Sequence, residues 1–379
     1  MKIAEVVATF PPYHGGMGYV CFHNSRMLAL RGHDVTVFTL DHGRLSYEAD
    51  LKDFKIVRLK TPLIYGDGGM VPQLCSMLKG FDIVHLHYPF FGGAEYVYLS
   101  SLLNGRKYFL TYHMDVYGNT LLKRLIMAAY EPLLTKKIIK RADYIGALSI
   151  AHLKSSKVAP YVDWNRVVEM PNGVDVKKFC PREKKQGLVR EYNLEGKTVV
   201  LFVGNLQPFK GLHLLIDSIS RIKDRNIVLL VVGGGYNEKE YRSQAREKGI
   251  DERVIFAGPK SPDEDLPDHY NLGDFLVLPS LHSESFGLVV LEAMASGIPA
   301  IVSELPGPSQ LVENGKIGLH VKIGDVEDLK NKIEYLAKEK DIRRRMGTEA
   351  RKKVLEKYNW ESIGELLEKT LEDIVGNRY

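Results

Sequence analysis

Two carboxylates, Glu284 and Glu292, stand eight residues apart around an expected helix start near Phe286 to Leu288. Glu284 falls in the loop, whereas Glu292 lies inside the helix among Leu291, Ala293 and Met294, where a carboxylate without a partner would be costly. Such a pair reads as functional rather than as two ordinary solvated glutamates. Upstream, Val203-Gly204-Asn205-Leu206-Gln207-Pro208-Phe209-Lys210-Gly211 couples a strand exit to a helix beginning near Leu212. A lysine there can set a compact ammonium against a diphosphate as a leaving group gains charge. Near the N-terminus, Pro11-Pro12-Tyr13-His14-Gly15-Gly16-Met17-Gly18 leaves a first strand and enters a helix from about Tyr19. Free backbone N–H groups at such a helix start can meet phosphate oxygens, and the glycines let the backbone approach.

His85, His87, His113 and Asp115 stand at or just beyond strand ends. A His/His/Asp set can ligate a metal, but strand-end polar residues commonly hydrogen-bond loops, and no metal is expected here. His85 and His87 share one face of their strand, and His113 is where a ligand-lining residue belongs. Gly233-Gly234-Gly235 follows a strand, yet the third glycine of a dinucleotide fingerprint is Glu238, and no Gly-Lys-Ser/Thr loop occurs. Dinucleotide and ATPase readings therefore lose their local support. The triple glycine itself reads equally well as a turn.

These groups need elements to position them. Lys2 to Thr9, Val35 to Leu40, Ile83 to His87, Tyr108 to His113 and Tyr144 to Leu148 read as buried strands alternating with helices, the rhythm of a parallel sheet. After Pro171-Asn172-Gly173 and the charged stretch Pro181 to Gln186 the rhythm restarts with Thr198 to Val203, Ile227 to Val232, Val254 to Phe256, Phe275 to Leu278 and Ala300 to Val302. The fold class is therefore α/β, with two Rossmann-like αβα domains. An amphipathic tail segment, Ile363 to Ile374, needs a surface to cover. With 379 residues, 45% apolar and 26% charged, the chain supports large cores without disulfides. Its three separated cysteines fit a reducing cytosol. The net charge of +5 is too small for the electrostatic footprint of a nucleic-acid binder. No apolar run is long enough to span a bilayer, and Glu5 and Pro11-Pro12 interrupt the N-terminal apolar segment too early for a secretory signal.

Gly15-Gly16, Asn172-Gly173-Val174-Asp175, Gly204 to Lys210-Gly211, and Glu284 to Glu292 together resemble the retaining glycosyltransferases of family 4, of GT-B fold, from Lys2 to about Trp360. The resemblance implies two parallel sheets facing a central cleft: an acceptor-binding domain over 1–180, a nucleotide-sugar-binding domain over 181–357, and a last helix, 358–379, crossing back to the first. It implies transfer of a hexose from a nucleoside-diphosphate sugar, with a UDP or GDP donor favoured, to a hydroxyl acceptor such as a glycan or lipid-linked sugar. The anomeric configuration is retained, and no cofactor or metal is needed beyond the donor. By analogy Lys210 and the backbone at Gly15 and Gly16 meet the diphosphate. Glu284, with Phe286 and Gly287, holds the sugar hydroxyls, and Glu292 takes the ribose. His113 lines the reacting face near the C6 hydroxyl, while Asn205, Gly258 and Leu288 complete the donor set; His113, Glu284 and Lys210 are the catalytic candidates. One departure is Asn205, where the family often has a diphosphate-binding arginine whose charge a neutral amide cannot replace. Another is Glu284-Ser285-Phe286-Gly287, where Glu-Gly-Phe-Gly is usual.

Asn119 to Arg141 carries Lys123, Arg124, Lys136, Lys137, Lys140 and Arg141 against Glu131, with leucines and isoleucines between. It reads as two ordinary helices around Pro132 with basic solvent faces, or as a surface lying on anionic lipid. The expected location is cytoplasmic, with peripheral contact at the cytoplasmic membrane face under the second reading. Two rival functions stay open: an epimerase-like enzyme releasing a free product, and a nucleotide-sugar-binding protein without turnover.

Overall fold

Parallel strands flanked by helices must bury both faces, and the strand sequences are accordingly continuous apolar runs. The computed structural model describes residues 1–12, 15–43, 53–116, 120–261 and 265–376; Tyr13, His14 and Asn119 lie outside them. The chain divides into one unit of Met1–Asn172 with Trp360–Tyr379, and a second of Gly173–Asn359.

In the first unit seven strands, β1 (Lys2–Val6), β2 (Asp34–Leu40), β3 (Lys55–Leu59), β4 (Ile83–Tyr88), β5 (Tyr108–Tyr112), β6 (Tyr144–Ala147) and β7 (Val167–Glu169), pair in the order β3-β2-β1-β4-β5-β6-β7. Every pairing within this sheet is parallel, while Ile64–Tyr65 and Gly68–Gly69 form a separate antiparallel pair. The second unit has six, β8 (Thr198–Val203), β9 (Ile227–Val232), β10 (Val254–Gly258), β11 (Phe275–Leu278), β12 (Ala300–Ser303) and β13 (Gly318–Val321), ordered β10-β9-β8-β11-β12-β13. This sheet too is all parallel. Both are doubly wound, and each reverses direction of winding beside its first strand: between β1 and β4, and between β8 and β11. The carboxyl ends at such a reversal leave a crevice where open α/β sheets bind ligands.

The expected buried strands are all present. β3, β7 and β13 were not anticipated, and all three lie at sheet edges. An edge strand covers less of its surface, so Lys55–Leu59 and Val167–Glu169 are only half-buried and lack the apolar run that marks a central strand. The first strand ends at Val6, short of Thr9, and helix α1 (Gly16–Leu30) starts three residues before the expected Tyr19. Gly18 explains this early start: a Cβ there would lie 2.5 Å from the Thr9 carbonyl oxygen, so the first helical turn packs directly on the strand exit.

The basic segment folds as α2 (Leu121–Tyr130), a wide turn over Glu131–Thr135, and α3 (Lys136–Arg141). Helix α4 (Leu212–Arg221) follows β8, and α5 (Leu288–Ala295) follows β11. The last helix, α6 (Trp360–Gly376), packs on α1 within the first unit. There the Trp360 ring stacks on His23 at 4.5 Å, Glu368 bonds Arg31 at 3.1 Å and His33 at 2.8 Å, and Gly364 meets Met27. That is the surface its apolar face covers. Among the described residues no helix is long and apolar enough to cross a membrane.

Candidate active site

In the second unit the winding reversal sets the β8 exit beside the β11 exit. Gly211 makes this possible: its φ of +75° suits glycine, and a Cβ would lie 2.1 Å from the Pro279 carbonyl oxygen. The two loops are tied by the Leu281 N–H donating to the Phe209 carbonyl at 2.7 Å. Lys210 and Glu284, 74 residues apart in sequence, consequently meet: the ammonium donates to the carboxylate at 2.5 Å, and Ser280 Oγ donates to the same oxygen at 3.3 Å. Both side chains are mostly buried, so the charges attract more strongly than a solvated pair. Sequence spacing alone did not signal Ser280 as a third member.

Gly287 caps α5 with a φ of +96°, and Phe286 is buried against Tyr358 at 6.3 Å. The first N–H groups of α5, from Leu288, carry the positive end of a helix dipole. About one turn on, Glu292 accepts a hydrogen bond from the Tyr270 hydroxyl at 2.5 Å. Burial pushes its carboxyl up to about 7, while the Tyr270 hydroxyl and the charge of Lys178 pull the other way. Tyr270 was not anticipated, since nothing in Asn271 or its neighbours distinguishes it from a core aromatic.

The glycines at the carboxyl edge form a row across three adjacent strands. The Gly204 N–H donates to the Val232 carbonyl and the Gly233 N–H to the Gly258 carbonyl, each at 3.0 Å, and all three have positive φ. A Cβ at Gly233 would lie 2.0 Å from the Gly204 oxygen. Gly233, the first of the triple glycine, is thus a close backbone approach at the carboxyl edge of the sheet. Asn205, next in the chain, is exposed.

In the first unit the equivalent reversal places Glu5 of β1 opposite His85 of β4. Glu5 is fully buried and accepts from His85 Nδ1 at 2.9 Å and from His87 Nε2 at 2.9 Å. His87 Nδ1 lies 2.9 Å from His113 Nε2, and His85 Nε2 lies 2.8 Å from Thr111 Oγ1. Burial opposes ionisation of Glu5, but the two imidazoles outweigh it and hold the carboxyl down at about 2. Burial, with the neighbouring His85, lowers His87 to about 4, and His113 is pushed well below its usual value by burial and by His87. The three histidines expected near strand ends are therefore one chain. Asp115 does not join it: its carboxylate accepts from the Tyr112 hydroxyl and the Lys157 N–H. Glu5, which the sequence marks only as a charge interrupting an apolar run, does. Glu5, His85 and His87 bring three ligating atoms within 4.8 Å of one another, a spacing that could also hold a metal.

Gly15 precedes α1 with an extended φ of −169°, which any residue adopts, and Gly16 opens the helix. Beyond β4 and β5 a cavity of about 380 Å³ is lined by Tyr88, Phe91, Tyr112, Arg124, Glu131 and Lys157 among others. Leu121, Leu125, Ile126 and Leu133 stand exposed on the neighbouring α2 and its following turn, Leu121 by 74%.

Comparison with known proteins matches residues 14–178 to the family described as Glycosyltransferase Family 4, and residues 185–353 to Glycosyl transferases group 1. A D-inositol 3-phosphate glycosyltransferase of Nocardia farcinica is 32% identical over 57% of this chain, a match spanning about half (49%) of that relative's length. A GDP-mannose-dependent alpha-(1-6)-phosphatidylinositol monomannoside mannosyltransferase of Mycolicibacterium smegmatis is 26% identical over 97% of both chains. The structure of a sucrose-phosphate synthase from Thermosynechococcus elongatus superposes with a TM-score of 0.83 at 23% identity, covering 100% of each chain.

Proposed function

The chain belongs to the GT-B glycosyltransferases of the family 4 type, and on that premise we propose that it moves a hexose, with retention of configuration, from a UDP- or GDP-sugar to a hydroxyl acceptor. The observation that carries this reading is the Lys210–Glu284 contact at the winding reversal of the second unit. In the ligand-free protein each charge neutralises the other. When the donor enters, the diphosphate takes the Lys210 ammonium and the N-terminal N–H groups of α5, and Glu284 is freed to accept from the sugar's hydroxyls. The developing negative charge on the leaving diphosphate then meets a lysine and a helix terminus already in place, the kind of preorganised stabilisation that lowers barriers most. On this reading no metal is required. Glu292 accepts from the ribose hydroxyls, and the backbone along Gly204, Gly233 and Gly258 leaves room for the nucleotide. His113 is assigned to the donor sugar's C6 hydroxyl, and the leaving phosphate assists deprotonation of the acceptor on the same face. With one carboxylate on the sugar and the other on the ribose, a covalent double displacement is not part of the scheme.

The acceptor is assigned to the cavity behind Tyr88 and Tyr112. Aromatic walls suit a sugar face, Glu131 a hydroxyl, and Arg124 and Lys157 a phosphate. The apolar side chains exposed on α2 beside the basic residues of α3 support a lipid-linked acceptor reached from an anionic, cytoplasmic membrane face. The phosphatidylinositol-directed name of the Mycolicibacterium smegmatis relative supports this acceptor class.

The test is nucleotide release from UDP-, GDP-, ADP- and TDP-sugars in the presence of chelator, with the parent and Glu284→Ala. Release from one donor, lost in the variant while nucleotide still binds, is the expected result. Release that requires added metal, or that Glu284→Ala leaves unchanged, would overturn the scheme.

A further inference from the structure

The buried chain under His113 carries more than rigidity. Two imidazole nitrogens 2.9 Å apart, His87 Nδ1 and His113 Nε2, share one hydrogen. Which ring supplies it follows from the other end of the chain. An ionised carboxylate can only accept, and Glu5 takes hydrogen bonds from both His85 Nδ1 and His87 Nε2. His87 therefore carries its proton on Nε2. A neutral His87 then has a bare Nδ1, and the hydrogen between the rings must come from His113 Nε2. His113, if neutral as well, is left with its only lone pair on Nδ1. Thr111 Oγ1, at His85 Nε2, can donate or accept and so places no constraint on the direction. Among the described residues, the remaining titratable group against the chain is the Cys21 thiol of α1, 3.9 Å from Glu5, which burial keeps protonated and hence a weak donor to the same carboxylate. Every donor thus points toward Glu5. Burial disfavours an imidazolium at His87 and at His113, the two rings that share the hydrogen.

We propose that Glu5 and His87 are positioning residues that hold His113 in its Nε2–H tautomer, so that its Nδ1 accepts a hydrogen bond from a hydroxyl of the donor sugar. This rests on the assignment of His113 to the sugar made above. It adds a specificity rule: the group met by His113 must be a hydrogen-bond donor, so a hexose is favoured over the corresponding uronic acid, whose ionised carboxylate can only accept. A reversed tautomer would invert that preference.

The experiment is long-range ¹H–¹⁵N correlation of the histidine rings in the full-length protein, with His113→Gln used to identify the His113 signals. The expected spectrum shows Nε2 protonated, Nδ1 unprotonated, and no titration of His113 between pH 6 and 8. An Nδ1–H tautomer or an imidazolium in that range overturns the proposal, as does zinc binding that displaces the histidine hydrogens in the protein as purified. In Glu5→Gln the amide offers both a donor and an acceptor, so the chain loses its direction. Mixed tautomers at His113 are expected, with kcat on UDP-glucose or GDP-mannose falling at least tenfold and the nucleotide's Kd unchanged. His87→Leu, which removes the partner of His113 Nε2, should give the same loss and serves if Glu5→Gln does not fold. A variant with mixed tautomers and parental kcat overturns the positioning role. A parental kcat in His113→Gln, with the expected wild-type tautomer, would instead locate the failure in the assignment of His113 to the sugar.

Discussion

Replacing Glu292 with glutamine should stabilise the ligand-free protein at high pH and leave it unchanged at low pH. Burial lifts this carboxyl from 4.5 to about 7 in the folded chain, against the opposing pull of Tyr270 and Lys178. A carboxyl whose pKa is higher folded than unfolded binds more protons in the folded state between those two values. Its contribution is then at its best below the unfolded pKa and is lost as pH rises through the folded one. A gap of about 2.5 pH units, at roughly 1.36 kcal/mol each, sets the loss at up to about 3 kcal/mol by pH 8. Glutamine keeps the shape, accepts the Tyr270 hydrogen bond through its carbonyl oxygen, and has no charge to bury. Thermal unfolding at pH 5 and pH 8 reads the difference, at roughly 2 to 4 °C per kcal/mol for a unit of this size. The same variant should bind nucleotide more weakly, because an amide oxygen is a poorer acceptor than a carboxylate for two ribose hydroxyls. A variant that melts with the parent at both pH values would show that Glu292 is not desolvated. One that is stabilised and yet binds nucleotide normally would remove Glu292 from the ribose.

Three further substitutions test the architecture. Gly233→Ala puts a Cβ 2.0 Å from the Gly204 carbonyl at a φ of +134°; it should cost at least about 2 kcal/mol by urea unfolding, and a silent substitution would mean the two strand exits are not in contact. Gly364→Val would drive a side chain into Met27, whose Cβ lies 2.7 Å from the position of a Cβ at 364, and should cost about 1 to 3 kcal/mol; parental stability would show that α6 does not pack on α1 as described. Leu125→Asp with Ile126→Asp places charge on exposed positions of α2, so folding should be unaffected while flotation with phosphatidylglycerol vesicles is lost; flotation equal to the parent's would refute membrane contact through this helix.

Much of the architecture was legible in order along the chain because the signals that specify it are local. Ile227–Val232 and Phe275–Leu278 are apolar runs of strand length, and such a run between helical segments has few places to go except the interior of a parallel sheet. Gly211 and Gly287 stand where a strand exit must turn sharply into a helix, and both adopt the left-handed φ that glycine permits. The edge strands β3 and β7 escaped because half-buried positions do not form a continuous apolar run, and the mostly buried β13 escaped because His320 interrupts its four residues.

The partnerships that give the site its chemistry were decided by the tertiary structure. Glu284 and Lys210 were each identifiable as chemically useful, but their contact depends on β8 and β11 becoming neighbours, a consequence of strand order that no spacing of residues expresses. Glu5 reads in the sequence as a flaw in an apolar strand. It becomes the anchor of three histidines because parallel pairing sets it beside His85, and alternation brings His87 onto the same face. Residue type and local period therefore determined which elements form and which side chains could act. Register and strand order, fixed by the packing of whole sheets, determined which of those side chains share a proton or a charge.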